Sequence, residues 1–268
     1  MNDHKAPPTP SSVKLLNRRE TLGLVATTAG AAIGMTTGIH LSHAQSSPQQ
    51  SSSLKGNTMP AKAFVYTELQ ISAPFGDVPW RKVSDTIAKQ PGFISKTWLS
   101  GVGNNSVGGF YSFDSIENAQ KFVTGYFPDE ARNFGVAHTT RVFDASLVKE
   151  ASLGLDSPHF GAKPKQNPGA FVYTEVQINV PFEKAPWQDR NPVLKQQSGL
   201  LAKTWLSGLH TNSLGGIDVF DTIENAKAFA LDAFPKTAAK MNAAFYTRVF
   251  DASVTEEASR YLNSPFYN

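Results

Sequence analysis

Most of this chain is written twice, at a constant spacing of 107 residues. KAFVYTELQISAPFGDVPW at 62–80 returns as GAFVYTEVQINVPFEKAPW at 169–187, KTWLSG at 96–101 returns at 203–208, NSVGG at 105–109 returns as NSLGG at 212–216, and TRVFDAS at 140–146 returns at 247–253. A period of this length is a whole domain and far exceeds a solenoid unit. With no net insertion between the copies, the expected architecture is a pseudo-two-fold pair inside one chain, doing what a homodimer does with two.

The residues before the repeat have a different character. Asn17-Arg18-Arg19-Glu20-Thr21-Leu22 leads into a mildly apolar run from 22 to 41, followed by Ser42-His43-Ala44. Paired arginines ahead of a run diluted with Gly and Thr predict a twin-arginine export signal over 1–44, cleaved after Ala44, and hence a periplasmic or secreted protein with no stable membrane anchor after cleavage. Residues 45–60, rich in Ser and Gln, read as a flexible tether. The folded part is expected as a first repeat over 61–156, a Pro/Gly-rich linker over 157–168 and a second repeat over 169–268. The chain has no cysteine, which excludes disulfides, thiolate metal sites and a cysteine nucleophile. Of the net charge of +3, the segment 1–44 holds four Lys/Arg against two acidic residues, so the remainder carries +1. It has no basic stripe of the kind that binds phosphates, and nucleic acid is not an expected partner.

Each repeat reads as β-α-β-β-α-β. Residues 63–71 alternate with the period of a strand, ended by Pro74; 78–90 places Trp80, Val83 and Ile87 at helical spacing and stops at Pro91-Gly92. Residues 93–99 and 107–113 form a hairpin across a Gly/Asn-rich turn. Asp114 or Ser115 caps a second helix that buries Ile116, Ala119, Phe122 and Val123, residues 128–135 add further helix, and 137–144 is the fourth strand. The fold class is α+β: two tandem ferredoxin-like repeats, each with one sheet face under helices and the other bare. The bare faces need cover, and the other repeat is the natural partner, giving an intramolecular pseudo-dimeric α/β barrel.

APFGDVPW, QPGFISKTWL, GGFYSF followed by a helix with Ala119, and RVFD resemble the YdhR-type monooxygenases of the dimeric α/β-barrel superfamily. The resemblance implies two sheets packed face to face, helices outside and a small-molecule cavity in each half. It carries an oxygenase label, and cofactor-independent oxygenation of a small aromatic or hydrophobic molecule is the activity expected once the residues kept in both halves are considered. The superfamily also holds isomerases, haem enzymes and plain binders, so fold alone does not fix the activity.

The duplication narrows the chemistry. The three histidines beyond the leader, His138, His159 and His210, have Phe245, Phe266 and Gly103 as counterparts, so no histidine site occurs in both halves, and no metal site is expected. No dinucleotide loop and no nucleophile elbow is present. Both halves keep Tyr66/Tyr173, Glu68/Glu175, Lys96/Lys203, Trp98/Trp205, Asn105/Asn212 and Arg141/Arg248. Strand parity puts Tyr66, Glu68 and Gln70 on one face, and likewise Lys96 and Trp98, so that all could line a single cavity. On that reading Tyr66, Tyr173, Trp98, Trp205, Asn105, Asn212 and Tyr111 bind a phenol- or quinol-type ring. Glu68 and Glu175 act as bases, and Lys96, Lys203, Arg141 and Arg248 stabilise oxyanion charge. Against it stand plainer readings: the tryptophans as packing, Glu68 with Lys96 or Arg141 as a cross-strand ion pair, the Gly-Gly pairs as sites of backbone approach or a bulge, and Asp144 and Asp251 as caps. A non-catalytic binder of small hydrophobic molecules, or an assembly module whose pseudo-dimer associates further, would use the same fold. The halves also differ: Tyr111 becomes Asp218, Gly103 becomes His210, and Arg81-Lys82 becomes Gln188-Asp189.

Overall fold

The computed structural model describes residues 60–267; the leader and the tether lie outside the described residues. The first repeat runs β1 (Ala63–Leu69), α1 (Trp80–Ile87), β2 (Phe93–Ser100), β3 (Val107–Phe113), α2 (Ile116–Lys121), α3 (Phe127–Phe134), β4 (His138–Asp144) and α4 (Lys149–Leu153). The second repeats it as β5 (Ala170–Gln177), α5 (Trp187–Lys195), β6 (Leu200–Ser207), β7 (Ser213–Phe220), α6 (Ile223–Ala228), α7 (Phe234–Lys240), β8 (Phe245–Asp251) and α8 (Glu256–Tyr261). Each half is an antiparallel four-stranded sheet, ordered β2-β3-β1-β4 and β6-β7-β5-β8, the expected ferredoxin-like arrangement.

Local chemistry sets the helix boundaries. The Ser115 hydroxyl accepts from the Asn118 amide and the Thr222 hydroxyl from the Asn225 amide, each at 3.2 Å, satisfying a first-turn donor. Between α2 and α3 lies a five-residue π turn, Phe122–Tyr126, in which the Phe127 amide reaches back to the Phe122 carbonyl. Pro128 follows at once; having no N–H and a ring that crowds the preceding turn, it favours the wider winding. Phe229–Ala233 before Pro235 repeats the device. Asp144 and Asp251 cap the chain after the fourth strands, each accepting from the amide two residues on, at 2.8 and 2.9 Å.

The bare sheet faces meet each other. Phe64, Tyr66, Phe110 and Phe143 share one core with Phe171, Tyr173, Ile217 and Phe250, and the Tyr66 and Tyr173 rings stack at the centre, 4.0 Å apart and 4° from parallel. The barrel closes through main-chain contacts between halves: Val102 N donates to Val249 O and Leu209 N to Val142 O, both at 2.9 Å. Bridges Gly101 to Phe250 and Phe143 to Gly208 lie beside them.

Each half also lends its tail to the other, which the sequence did not disclose. After α4, Leu155 O accepts from Lys203 N at 2.9 Å, the Ser152 hydroxyl accepts from Trp205 N at 2.9 Å, and the hydroxyls of Ser157 and Thr204 lie 2.7 Å apart. In the mirror arrangement, Leu262 O accepts from Lys96 N at 3.0 Å, Ser259 accepts from Trp98 N at 2.9 Å, and Ser264 meets Thr97 at 2.7 Å. Each tail thereby covers the outer edge of the opposite repeat's sheet, where unpaired main-chain groups would otherwise face water.

Candidate functional site

The residues singled out above separate into two places, which corrects the expectation of a single shared cavity. In the strand register Trp98 lies opposite Gly109, and Gly109 opposite Thr67, so Trp98 shares a sheet face with Thr67 and not with Tyr66. Tyr66, Glu68, Tyr173 and Glu175 point into the barrel; Lys96, Trp98, Tyr111, Lys203 and Trp205 lie on the opposite faces, under the helices.

Inside the barrel each carboxylate is held, through its Oε2, by donors from both halves. Glu68 accepts from Tyr66 OH at 2.9 Å, from Tyr246 OH at 3.0 Å and from Arg248 Nε at 3.3 Å. Glu175 accepts from Tyr173 OH at 2.7 Å and from Arg141 Nε at 3.3 Å. Burial alone would raise the Glu68 pKa, but the surrounding hydroxyls and the Arg248 guanidinium outweigh it and hold the carboxyl below its ordinary value. Burial, and next the Glu68 charge, push the Tyr66 phenol well above its own. Glu68 is thus an ionised acceptor, and Arg141 and Arg248 each cross to the other repeat's glutamate, forming two clasps across the pseudo-two-fold axis. Tyr246, the third donor, has Thr139 as its counterpart in the first repeat, so comparison of the copies gave no signal for it. Asn105 and Asn212 join neither place: both are exposed in hairpin turns at left-handed φ of 50° and 49°, a conformation asparagine tolerates better than most residues. His138 and His210 are exposed, and His159 is partly buried at one end of the barrel, its Nε2 enclosed and its Nδ1 3.0 Å from the Ser112 hydroxyl. Among the described residues no three His, Cys, Asp or Glu side chains gather as metal ligands.

On the helix side each repeat holds a crevice between its sheet and its helices. The first, of about 400 Å³ counting space open to solvent, is lined by Leu69, Val83, Trp98, Tyr111, Tyr126 and Glu130 among others. The second, of about 570 Å³, is lined at equivalent positions by Val176, Arg190, Trp205 and Thr237, by Phe234, the counterpart of Phe127, and, in addition, by Lys203. The tryptophans are fixed walls. Trp98 Nε1 donates to Ser84 Oγ at 3.2 Å and Trp205 Nε1 to Asn191 Oδ1 at 2.9 Å, while Phe75 and Phe182 pack edge-on against them. The glycine pair makes this possible. A Cβ on Gly109 would lie 2.4 Å from Lys96 Cε and one on Gly216 2.2 Å from Lys203 Nζ, so the second glycine leaves room for a buried lysine. A Cβ on Gly108 or Gly215 would strike the Thr67 or Thr174 carbonyl oxygen, which is the expected close backbone approach.

The two lysines sit in different electrostatic settings. Lys96 Nζ lies 2.8 Å from the Trp98 ring centre and 4.8 Å from that of Tyr111, with no carboxylate in ion-pair range among the described residues. Burial holds its pKa well below the ordinary lysine value, opposed by Glu130. Lys203 instead donates to both oxygens of Asp218, at 2.8 and 2.9 Å, and Thr174 Oγ1 donates to Asp218 at 3.1 Å. Its pKa is lowered by burial, with Asp218 opposing and Arg190 adding to the fall.

The family model described as Putative mono-oxygenase ydhR matches residues 68–150. Over those residues the first repeat is similar to a YdhR-type domain. The match begins at the clasp glutamate and spans Lys96, Trp98, Tyr111 and Glu130; the second repeat is tied to the YdhR-type domain by the 107-residue echo and by the same strand order. No curated protein sequence matches the chain. Among solved structures, an anthrone oxidase-like protein is 16% identical and superposes with a TM-score of 0.47 over 71% of this chain and 91% of its own. A protein described as a "putative monooxygenase" from Lactobacillus acidophilus NCFM is 8% identical, with a TM-score of 0.40 over 70% of this chain and 93% of its own. A monooxygenase-like protein from Listeria innocua is 8% identical, with a TM-score of 0.41 over 73% and 98%. These scores are low, and the fold stands on the strand order itself.

Proposed function

We propose that this chain is a cofactor-independent monooxygenase acting on a small electron-rich aromatic molecule, a phenol or quinol, held in the helix-side crevices. The observation that carries the reading is a tryptophan wall with a buried lysine beside it, built in the same place in both repeats. A flat apolar crevice with few polar groups suits an aromatic ring. In such a reaction the deprotonated ring passes electrons to dioxygen; one oxygen atom stays on a ring carbon and the other leaves as water with the two hydrogens the substrate loses. The protein's tasks are to hold the ring, favour its anion and exclude water. Trp98 and Trp205 hold the ring on this reading, and Lys96, which has no carboxylate in ion-pair range among the described residues, stabilises the oxyanion in a weakly screened site, while Lys203 shares its charge with Asp218. Glu68, Glu175, Arg141 and Arg248 serve the clasps between repeats.

The test is oxygen uptake by the full chain with a panel of phenols and quinols under ¹⁸O₂. The reading expects one labelled oxygen in the product and loss of uptake in a Lys96→Met/Lys203→Met variant that remains folded. The mostly apolar crevice lining favours a second reading, a non-catalytic binder of small hydrophobic molecules; ligand that raises the melting temperature yet returns unchanged from aerated solution would select it. We propose further that the protein works outside the cytoplasm, reached through the Arg18-Arg19 leader. Retention of an Arg18→Lys/Arg19→Lys variant inside the cell is the expected result, and unaltered export of that variant would refute the route.

A further inference from the structure

The two crevices occupy equivalent positions, but their walls have diverged at four places related by the 107-residue offset: Val83 against Arg190, Tyr111 against Asp218, Tyr126 against Ala233, and Glu130 against Thr237. The first consequence is room. The rings of Tyr111 and Tyr126 line the first crevice, whereas their smaller counterparts Asp218 and Ala233 do not reach the lining of the second, which is the larger at about 570 against about 400 Å³.

The second consequence is charge. In the first crevice the wall includes the Glu130 carboxylate, whose charge acts on Lys96 buried behind the lining. In the second, Lys203 is already matched by Asp218, which grips it with both oxygens. Arg190 then adds a further cation to the wall. It is half-buried, its Nη2 donates to the neutral Thr237 hydroxyl at 3.3 Å, and no carboxylate stands within ion-pair range of it among the described residues. A guanidinium held against an aromatic wall without an anionic partner favours an anion from solution, because its charge is only partly hydrated there. Its planar fork fits the oxygen pair of a carboxylate better than an ammonium would, and either of its N–H edges can donate to a single phenolate oxygen. Trp187, Trp205, Phe229 and Phe234 supply flat apolar surface beside it.

We propose that the second repeat's crevice is a binding site for a small planar aromatic anion, an aromatic carboxylate or phenolate, with Arg190 as the group that receives its charge. The first crevice, lined by Glu130, is the site for a neutral ring. This assignment shares its crevice with the proposed oxygenase reading but concerns equilibrium binding, which needs no oxygen.

The test is calorimetric titration of the full chain under argon with salicylate and with its neutral amide, salicylamide. Salicylate is expected to bind, with salicylamide weaker by about 10- to 100-fold, the range for a charge-assisted contact in a partly buried site. Arg190→Gln is expected to lower salicylate affinity by about the same factor and leave salicylamide unchanged. Thr237→Glu, which places the first repeat's carboxylate beside Arg190, is expected to abolish salicylate binding, and Glu130→Thr to leave it intact. Equal affinity for acid and amide, no binding of salicylate, or indifference to both second-repeat variants would overturn the assignment. Binding as expected with no oxygen uptake by any substrate would refute the oxygenase reading and leave this one standing.

Discussion

His159 makes a pH dependence that can be worked out in advance. Its imidazole sits at the end of the barrel against the edges of Phe64, Phe110 and Phe266, at ring separations of 5.0, 5.1 and 4.9 Å, with only the Ser112 hydroxyl as a polar neighbour. Burial pushes its pKa from 6.5 down to about 3. The fold excludes the protonated ring, so the unfolded chain takes up the proton first, and stability falls as pH drops below 6.5, levelling off only near the folded value of about 3. At about 1.4 kcal/mol per pKa unit, the loss relative to neutral pH is about 2 kcal/mol by about pH 5 and about 3 kcal/mol by about pH 4. The second repeat shows how to remove it: the counterparts of Ser112 and His159 are Val219 and Phe266, an apolar pair at the same place. Urea denaturation of the full chain, followed by tryptophan fluorescence across that range, compares wild type with Ser112→Val/His159→Phe. Every other titrating group is common to both proteins, so the difference between the two stability curves isolates the imidazole. It is expected to widen by the amounts given as pH falls. Parallel curves would refute the reasoning, showing that the ring protonates in place or that this end of the barrel admits water.

Three further perturbations have defined outcomes. Asp218→Asn removes one partner of an ion pair whose side chains are 4% and 0% exposed, and is expected to cost about 3–5 kcal/mol in denaturant unfolding, least at high pH where Lys203 sheds its proton. Glu68→Gln leaves the Arg248 guanidinium without its carboxylate and is expected to cost about 2–3 kcal/mol, with the loss shrinking once acid protonates the wild-type carboxyl below its already lowered pKa. Gly108→Ala is expected to destabilise more than Gly109→Ala, because the first would meet the Thr67 backbone at 1.9 Å and the second the flexible end of Lys96; equal melting temperatures would contradict the space read from the sheet.

The repeat and the period of its strands carried most of the fold. The β3 strand lies at its expected bounds, Ser115 caps where a cap was expected, and the bare faces pair through Phe64, Tyr66 and their counterparts. Strand parity also grouped Tyr66 with Glu68 and Lys96 with Trp98. It could not say how the two groups relate, because that depends on register across β3, where a shift of one residue reverses the faces. The break in pairing between Phe93 and Ser95 is the kind of local feature that parity within one strand does not reveal. The tails after β4 and β8 escaped notice for another reason: they act largely through main-chain carbonyls and single serine hydroxyls, which leave little pattern in a sequence. The Lys203 to Asp218 pair did leave a trace, since Asp218 replaces Tyr111 at the position directly across from the lysine.

The exchange of tails has a consequence for how the protein is made. A ribosome that has completed the first repeat has produced a sheet whose outer strand, β2, still lacks the partners it will find at Ser259, Leu262 and Ser264, more than a hundred residues further along the chain. That strand edge stays open through the whole translation of the second repeat, and its closure coincides with the arrival of the last segment of described chain. The nascent half-barrel is therefore a waiting state with an adhesive margin, the sort of species that chaperones shield, and Ser259, Leu262 and Ser264 act as the latch that ends the wait.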